Sequence, residues 1–313
     1  MTKLNRLHAS ALLAVLVITL AGCGSSGSSD TTMGEATGFL SLGISDGPVH
    51  DAQKVCITFD AIEFKPGGDE PSTTVDLDPA RKVNLLDFQG MNAAPLILDE
   101  ELLAGDYDWL RLAVDAQKGS NGGAGDTGGD ACDGEGSYIV MSDGGVYNLF
   151  VPSGSQTGLK LNNGFTVPAN ASADFTVEFD LMQSITAPPG LDPDVILRPT
   201  LRLVNNIEAG ALTGTIGSEL ATAEGCEPSV YLFADGVMPN AIEDGVDDPE
   251  DPVSTAMVSE MMTDGGMTEY HYTIGFLTPG DYEAAFTCDG ETFEPAEGVG
   301  VSIAANETTT QDF

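Results

Sequence analysis

Two acidic segments carry the side chains that are best suited to bind a ligand. The first runs from Asn121 to Glu135 among several glycines, and the second holds six carboxylates between Glu243 and Asp251. Calcium takes roughly six to eight oxygen ligands, which flexible acidic loops can supply. Neither segment has the spacing of an EF-hand loop, so solvated acidic loops are the alternative to specific calcium sites. The candidate calcium ligands are Asp126, Asp130, Asp133 and Glu135 in the first segment, and Asp244, Asp247 and Asp248 in the second.

Residues for nucleophilic catalysis are scarce. Such catalysis needs a nucleophile, a base and a group that orients the base, yet His50 and His271 are the only histidines beyond the N-terminal segment. His271 lies between two tyrosines, so an exposed position on a strand is its simpler interpretation. For the single tryptophan, Trp109, a place in the core or on a sheet face is favoured over a sugar platform. We expect no enzyme and no cofactor other than calcium, and a carboxylate-based hydrolase is the less favoured alternative.

The charge of the chain excludes several classes of partner. Its 313 residues include 49 Asp and Glu but only 11 Lys and Arg, for a formal net charge of −38. A nucleic-acid-binding protein needs a basic face to neutralise phosphates, so we expect no nucleic acid partner. The apolar share of 42% is sufficient for folded cores, and the length is typical of about two domains.

The N-terminal segment has the pattern of a bacterial export signal. Lys3 and Arg6 precede an apolar run of about ten residues, which is too short for a bilayer that needs roughly 20. The run ends in Leu20-Ala21-Gly22-Cys23, which resembles the lipobox of bacterial lipoproteins. An ordinary signal peptide followed by a chance cysteine is the alternative.

The lipobox resemblance implies how the protein is anchored. Residues 1–22 would be removed as a signal peptide, and Cys23 would carry the lipid that binds the membrane. Residues 23–36, rich in glycine and serine, would form a flexible tether. Gly24 lacks the aspartate that retains such lipoproteins at the inner membrane. The expected location is therefore the outer membrane, with the lipid as the membrane anchor.

Four cysteines remain after Cys23, namely Cys56, Cys132, Cys226 and Cys288. An even number in an exported protein indicates two disulfides, for which three pairings exist. Pairing Cys56 with Cys132 and Cys226 with Cys288 is the simplest, because it needs no link between the two halves of the chain. Zinc is the rival interpretation, but the chain has no Cys-x-x-Cys motif and few histidines.

The segments that must position these residues alternate between apolar and polar residues, which is typical of β-strands. Turn signals such as Asp46-Gly47-Pro48 separate the runs, and no convincing amphipathic helix follows the signal segment. The pattern predicts an all-β protein of packed sheets. The clearest alternating runs are Leu40–Ile44, Val55–Phe59, Phe175–Leu181, Tyr270–Ile274 and Val299–Ile303.

A weak internal repeat divides the chain into two parts. Leu103–Tyr107 and Leu277–Tyr282 both place Gly-Asp-Tyr before a strand, with each tyrosine ring expected in a core and its hydroxyl in solvent. The boundary is expected near Asn205 and Asn206. We therefore predict two consecutive β-sandwich domains, at residues 37–206 and 207–313.

Both predicted domains resemble known families. Residues 37–206 resemble a domain of unknown function that is common in bacterial lipoproteins, which implies a β-sandwich but no activity. Residues 207–313 are similar to the carboxypeptidase-regulatory or transthyretin-like sandwich, some members of which bind carbohydrate. The matching stretches are Leu40–Val49, Val83–Asp87, Leu102–Asp115, Val151–Leu161, Phe175–Leu181 and Leu197–Leu201 in the first part, and Leu212–Ile216 and Leu277–Phe286 in the second.

Together these observations predict a non-enzymatic binding or structural module of the cell envelope, anchored in the outer membrane. Its partner would be a glycan or an envelope protein. A carbohydrate-binding module that uses the C-terminal sandwich is the first alternative.

Overall fold

β-strands form nearly all the regular structure in the computed structural model of this chain. The structure describes residues 36–47, 49, 52–152, 158–186, 194–198, 200–242, 248–263 and 265–313. The predicted signal peptide, Cys23, most of the tether, His50, Asp244 and Asp247 lie outside these ranges. Within them, no helix has the length and apolar character needed to cross a membrane.

Among the described residues, the N-terminal part contains thirteen strands in two sheets. Sheet 1 has the order β13-β10-β1-β4, and sheet 2 has the order β11-β12-β7-β6-β2-β5-β8, with β3 paired to β2 and β9 to β5. The strands are β1 (Thr37–Gly47), β2 (Ala52–Pro66), β3 (Thr73–Asn84), β4 (Ala94–Leu103), β5 (Gly105–Val114), β6 (Tyr138–Met141), β7 (Val146–Phe150), β8 (Leu159–Leu161), β9 (Phe165–Val167), β10 (Ser172–Asp180), β11 (Ile185–Thr186), β12 (Asp194–Leu197) and β13 (Thr200–Asn205).

The described residues of the C-terminal part form two four-stranded sheets. Sheet 3 has the order β17-β18-β14-β21, and sheet 4 has the order β16-β15-β19-β20. The predicted boundary at residue 206 falls between β13 and β14. The strands are β14 (Gly210–Ile216), β15 (Ser229–Ala234), β16 (Ser254–Met257), β17 (Ser259–Met262), β18 (Thr268–Leu277), β19 (Gly280–Thr287), β20 (Phe293–Ile303) and β21 (Thr308–Thr310).

Each pair of sheets encloses its own hydrophobic core, which confirms the predicted all-β sandwich architecture. Leu40, Leu42 and Ile44 alternate along β1 and are at most 1% exposed, because they face the core between sheets 1 and 2. Leu212 and Phe286 belong to the second core, between sheets 3 and 4. The described helices are single turns, α1 (Leu181–Ser184), α2 (Ser218–Ala221) and a 3₁₀ turn (Leu85–Asp87).

The two Gly-Asp-Tyr repeats form equivalent corners. The Tyr107 hydroxyl donates to the Leu103 carbonyl at 2.9 Å, and the Tyr282 hydroxyl donates to the Thr278 carbonyl at 2.8 Å. Both rings are buried, as their sequence pattern predicts. The hydroxyls differ from the prediction, since each satisfies a carbonyl at the preceding turn and thereby fixes the start of the next strand.

Each part of the chain contains one disulfide. Cys56 is bonded to Cys132, with 5.7 Å between their Cα atoms, and Cys226 is bonded to Cys288, with 4.5 Å between theirs. These are the within-half pairs that the sequence favours. The first disulfide attaches the loop that contains Asp126, Asp130 and Asp133 to β2 of sheet 2.

Candidate functional site

A cleft of about 390 Å³ lies where the two sandwiches meet. The N-terminal sandwich contributes Asp46 from the end of β1, Glu178 from β10, and the loop Gln89–Asn92. The C-terminal sandwich contributes residues from β16, β17 and β18, including Thr255 and His271. Its volume is at the lower end of the range for small-molecule sites.

Two glycines let the two sandwiches approach closely at this cleft. A Cβ atom on Gly275 of β18 would lie 2.1 Å from the Gly90 carbonyl oxygen, which is far below any real contact. Gly90 has a φ of +65°, a conformation that glycine adopts without strain. The backbones of the loop and of β18 are therefore in direct contact, and this contact forms one wall of the cleft.

Three buried carboxylates lie on the sheet 1 side of the cleft. Asp46, Glu178 and Asp180 are 1%, 4% and 5% exposed. β1 and β10 are parallel neighbours, in which Ser45 pairs with Glu178 and Gly47 with Asp180. Arg202 of β13 is the register partner of Glu178, on the other side of β10. Glu178 and Asp180 thus lie on one face of sheet 1, whereas Asp46 is the register partner of the core residue Phe179 and lies on the other face.

Several polar atoms in this group have no hydrogen-bond partner among the described residues. Since a buried polar group without a partner costs about 1–3 kcal/mol, native proteins keep few of them. Among the described residues, six of the seven such atoms lie on sheet 1 or on β16, and the seventh, Asn206 Oδ1, lies just after β13. The six atoms are both Asp46 carboxylate oxygens, Glu178 Oε2, the Thr176 and Thr255 hydroxyls and Arg202 Nη2.

Burial raises the pKa of every acid in the group, because it penalises the charged form. The pKa of Glu178 rises to about 8 through burial, against the lowering effect of Arg202. The pKa of Asp180 rises to about 6, again through burial, although the Gln183 N–H opposes the increase. Burial, followed by the charges of Glu178 and Asp180, raises the pKa of Asp46 well above its ordinary value. At neutral pH, Glu178 is therefore mostly protonated, whereas Asp180 is mostly ionised.

Gln183 and Thr255 connect the acids to the second sandwich. The Gln183 Nε2 group of α1 donates to Asp180 Oδ2 at 3.0 Å and to the Pro252 carbonyl at 2.6 Å. Thr255 of β16 lies over the end of β1, where its hydroxyl would be 3.4 Å from a Cβ on Gly47. Asp180 is thereby held by the chain itself, whereas both oxygens of Asp46 and Oε2 of Glu178 are buried without a hydrogen-bond partner among the described residues.

Methionine side chains surround the mouth of the cleft. Met91 of the N-terminal sandwich and Met257 and Met261 of the C-terminal sandwich line it and are 63%, 38% and 56% exposed. Unbranched, polarizable thioether side chains adapt their shape to a partner. His271 also lines the cleft, and its Nε2 atom lies 3.1 Å from Glu269 Oε2. The lining therefore combines exposed, adaptable methionines with buried acids.

The first predicted calcium segment is occupied by the chain's own donors. Asp126 Oδ2 accepts from Lys54 Nζ and from the Tyr138 hydroxyl, both at 2.6 Å, and Asp126 Oδ1 accepts from the Gly128 N–H at 2.8 Å. Asp133 accepts from both the N–H and the hydroxyl of Thr127. In the described parts of the chain, no group of three His, Cys, Asp or Glu residues is disposed to hold a metal ion. Calcium at Asp126, Asp130, Asp133 and Glu135 stays a prediction without a preformed site.

The second predicted calcium segment is only partly described. Asp248 Oδ1 accepts from the Glu250 N–H at 2.9 Å, in an exposed turn, and Asp244 and Asp247 lie outside the described residues. Trp109 is half-buried on a sheet face, where Lys160 Nζ lies 4.4 Å from its ring centroid. This agrees with the sheet-face interpretation of the tryptophan.

The sequence did not single out the three cleft acids, even though each lies in a stretch that it identified. Asp46 lies in a turn signal, and Glu178 and Asp180 are the polar positions of the alternating run Phe175–Leu181. A strand pattern assigns such positions to the face away from the core, which is normally solvated. The one signal in the sequence was the pair of acids Glu178 and Asp180, because they lie on a strand whose other face is buried.

The fold and the cleft define a protein of two β-sandwiches with a buried acidic site between them. The chain belongs to the family described as a domain of unknown function, DUF4382, whose family model matches residues 37–199. Curated proteins give no match.

Solved structures give only remote similarities. A leucine-rich repeat protein from Bacteroides thetaiotaomicron is 12% identical over 89% of this chain and 26% of that chain, with a TM-score of 0.21. The present chain thus spans about a quarter of that protein. The minor pilin of Streptococcus agalactiae is 14% identical over 88% of this chain and 94% of its own, with a TM-score of 0.19. A candidate adhesin from Bacteroides ovatus is 8% identical over 94% of each chain, with a TM-score of 0.18. Scores this low carry no argument about function.

Proposed function

We propose that this protein is an outer-membrane lipoprotein that acts as a non-enzymatic binding module, and that its ligand occupies the cleft between the two sandwiches. The observation that carries the proposal is that Asp46, Glu178 and Thr255 belong to the lining of the cleft and hold buried oxygens without a hydrogen-bond partner among the described residues. An interface with a purely structural role would pair such atoms or replace them with apolar groups. A ligand that supplies the missing partners accounts for their retention.

A hydrolase fits the cleft less well. Catalysis by paired carboxylates requires environments that push the two pKa values apart, so that one group is an acid and the other a base or nucleophile. Burial raises the pKa of Asp46, Glu178 and Asp180 in the same direction. Asp180, with a pKa of about 6, is mostly ionised at neutral pH, but it does not line the cleft and both of its oxygens accept hydrogen bonds from Gln183, which favours binding over turnover.

A sugar platform at Trp109 is also less favoured. The Lys160 ammonium and the Arg111 guanidinium lie 4.4 and 5.6 Å from the indole ring centroid. Such cation–π contacts use the ring face on which a sugar would stack. A glycan ligand would have to be recognised elsewhere, and the cleft is the place to look for it.

The anchor is supported by the lipobox-like sequence at Leu20–Cys23 and by the short apolar run before it. The variant Cys23→Ser should lose membrane retention and labelling by palmitate analogues. Persistent fractionation of this variant with the outer membrane would contradict a lipid anchor. Proteolysis of whole cells would then locate the protein on the inner or outer face.

The cleft is tested by a thermal-shift screen of small molecules and glycans on the full chain in nonionic detergent. Ligands that stabilise the wild type should stabilise Asp46→Asn and Glu178→Gln much less. Glu70→Gln and Asp108→Asn, which change exposed acids of the same sandwich, are the matched controls. Equal stabilisation of the cleft variants and the controls would place binding elsewhere.

A further inference from the structure

We propose that the C-terminal sandwich side of the cleft binds a soft monovalent metal ion, copper(I), through the sulfur atoms of Met257 and Met261 and the Nδ1 atom of His271. All three side chains line the cleft. The two methionines are 38% and 56% exposed and the His271 side chain is 28% exposed, so an ion can reach them from solvent. The inference goes beyond the proposed function, because it uses none of the buried oxygens that support that proposal.

Strand register places His271 between the two methionines. Ser259 of β17 is the cross-strand partner of His271 on β18, so their side chains lie on the same face of sheet 3. Met261 follows Ser259 by two residues, and Met257 precedes it by two. Val258 packs against the second core, so Met257 and Ser259 point away from that core together. Both methionines are thus diagonal neighbours of His271, at a spacing of about 7–8 Å that long side chains can bridge.

The contacts around His271 suit a metal ligand. Its Nε2 atom lies 3.1 Å from Oε2 of Glu269, which is two residues away on the same face of β18. A carboxylate that accepts the Nε2 hydrogen leaves the Nδ1 lone pair for a metal, and metal-binding histidines are commonly oriented in this way. Ser259, directly opposite, is small and donates its hydroxyl to the His271 carbonyl at 3.3 Å. The position between the two methionines therefore leaves room for an ion.

The donor atoms determine the class of ion. Thioether sulfur is a soft ligand that selects copper(I), and imidazole is also a good ligand for copper. Met91, of the loop Gln89–Asn92, lines the same cleft and adds another thioether to it. Calcium and magnesium prefer oxygen ligands, and the described residues contain no group of three His, Cys, Asp or Glu that could hold a metal ion. Since the net charge of −38 also favours the approach of a cation, copper(I) is the ion that fits this set.

The test uses the full chain with Cys23→Ser, because Cys23 is the one cysteine outside the two disulfides and its thiol would bind the same ions. Calorimetric titration with silver nitrate in chloride-free buffer measures a soft monovalent ion that needs no reductant. Competition with the coloured copper(I)–bicinchoninate complex, under ascorbate and without oxygen, measures copper(I) itself. We expect saturable binding of a single ion in both assays. Met257→Leu, Met261→Leu and His271→Gln should each weaken binding at least about tenfold, and leucine nearly keeps the volume of methionine.

Met262→Leu is the matched control. Met262 follows Met261 on β17, points to the opposite face of the strand and is 80% exposed. This variant should bind both ions as the parent chain does. Glu269→Ala should weaken binding about tenfold by releasing the His271 ring, whereas Glu260→Ala, on the other face of β17, should not. In NMR spectra of methyl-labelled methionine, silver should shift the resonance of Met261 and leave that of Met262 unchanged.

Three results would each overturn the inference. They are the absence of saturable binding of either ion, equal weakening in Met261→Leu and Met262→Leu, and full affinity in His271→Gln. Losses confined to the variants of the three proposed ligands and of the carboxylate that orients His271 would support it. The proposed function is judged separately, because the ligands found by thermal shift should depend on Asp46 and Glu178, which are not ligands of the metal ion.

Discussion

Replacing Glu178 with glutamine should make the unliganded protein much less sensitive to alkaline pH. Glu178 is 4% exposed, and burial raises its pKa from 4.5 to about 8. The folded state therefore holds the Glu178 proton over a pH range in which the unfolded state has released it. Because the folded state binds more protons there, the stability due to this group is complete below pH 4.5 and is lost as the pH rises through 8.

The magnitude follows from the two pKa values. For each pH unit over which the folded state binds one more proton than the unfolded state, the free energy of unfolding falls by about 1.4 kcal/mol. Between 4.5 and about 8 the loss therefore approaches about 5 kcal/mol, and coupling to Asp46 and Asp180 makes about 3–5 kcal/mol a realistic range. Glutamine cannot ionise, so the variant should not show this loss.

Urea denaturation at pH 5, 7 and 9 in 150 mM NaCl measures the effect. The free energy of unfolding of Glu178→Gln minus that of the wild type should increase by about 3–5 kcal/mol from pH 5 to pH 9. Glu70→Gln, which changes an exposed acid in the same sandwich, should follow the wild type at each pH. A Glu178→Gln profile parallel to the wild-type profile would refute the buried, protonated state of Glu178.

Three further predictions concern other parts of the protein. Lys54→Met removes the partner of Asp126, whose pKa is held at about 2 by hydrogen bonds from Lys54 and Tyr138 despite the opposing effect of burial. Since both side chains of the pair are at most 5% exposed, this variant should lose about 3 kcal/mol in urea denaturation, and Lys54→Met with Asp126→Asn should regain part of it. Gly275→Ala should separate the sandwiches near Gly90 and speed hydrogen exchange there, while Gly266→Ala, at an exposed turn, should leave exchange at Gly90 unchanged. For the C-terminal part, where residues 207–313 contain 22 Asp and Glu and no Lys or Arg, 1 mM calcium should raise the Tm in 150 mM NaCl. Alanines at Asp244, Asp247 and Asp248 should remove the gain, and a calcium effect no larger than that of ionic strength would contradict a specific site.

The strand pattern predicted from the sequence agrees with the structure because it depends on local alternation. Leu40–Ile44 lies within β1, Val55–Phe59 within β2 and Tyr270–Ile274 within β18. Phe175–Leu181 matches β10 up to Asp180, after which α1 begins because the Asp180 carboxylate accepts from the Gln183 N–H. This N-cap depends on a single side chain, and the alternation of apolar and polar residues does not reveal it.

The cleft could not be predicted in the same way. On β10, the sequence correctly separates the core residues Val177 and Phe179 from Glu178 and Asp180 on the opposite side. Whether that opposite side meets water or another sheet depends on how the C-terminal sandwich packs, and the contacts of Thr255 with Gly47 and of Gly275 with Gly90 decide this. Hydrophobic periodicity reports which side of a strand faces its own core, but it contains no information about a second domain that covers the other side. The sequence thus determined the strands and the acidic character of the protein, whereas tertiary packing alone turned an ordinary polar strand face into a buried acidic cleft.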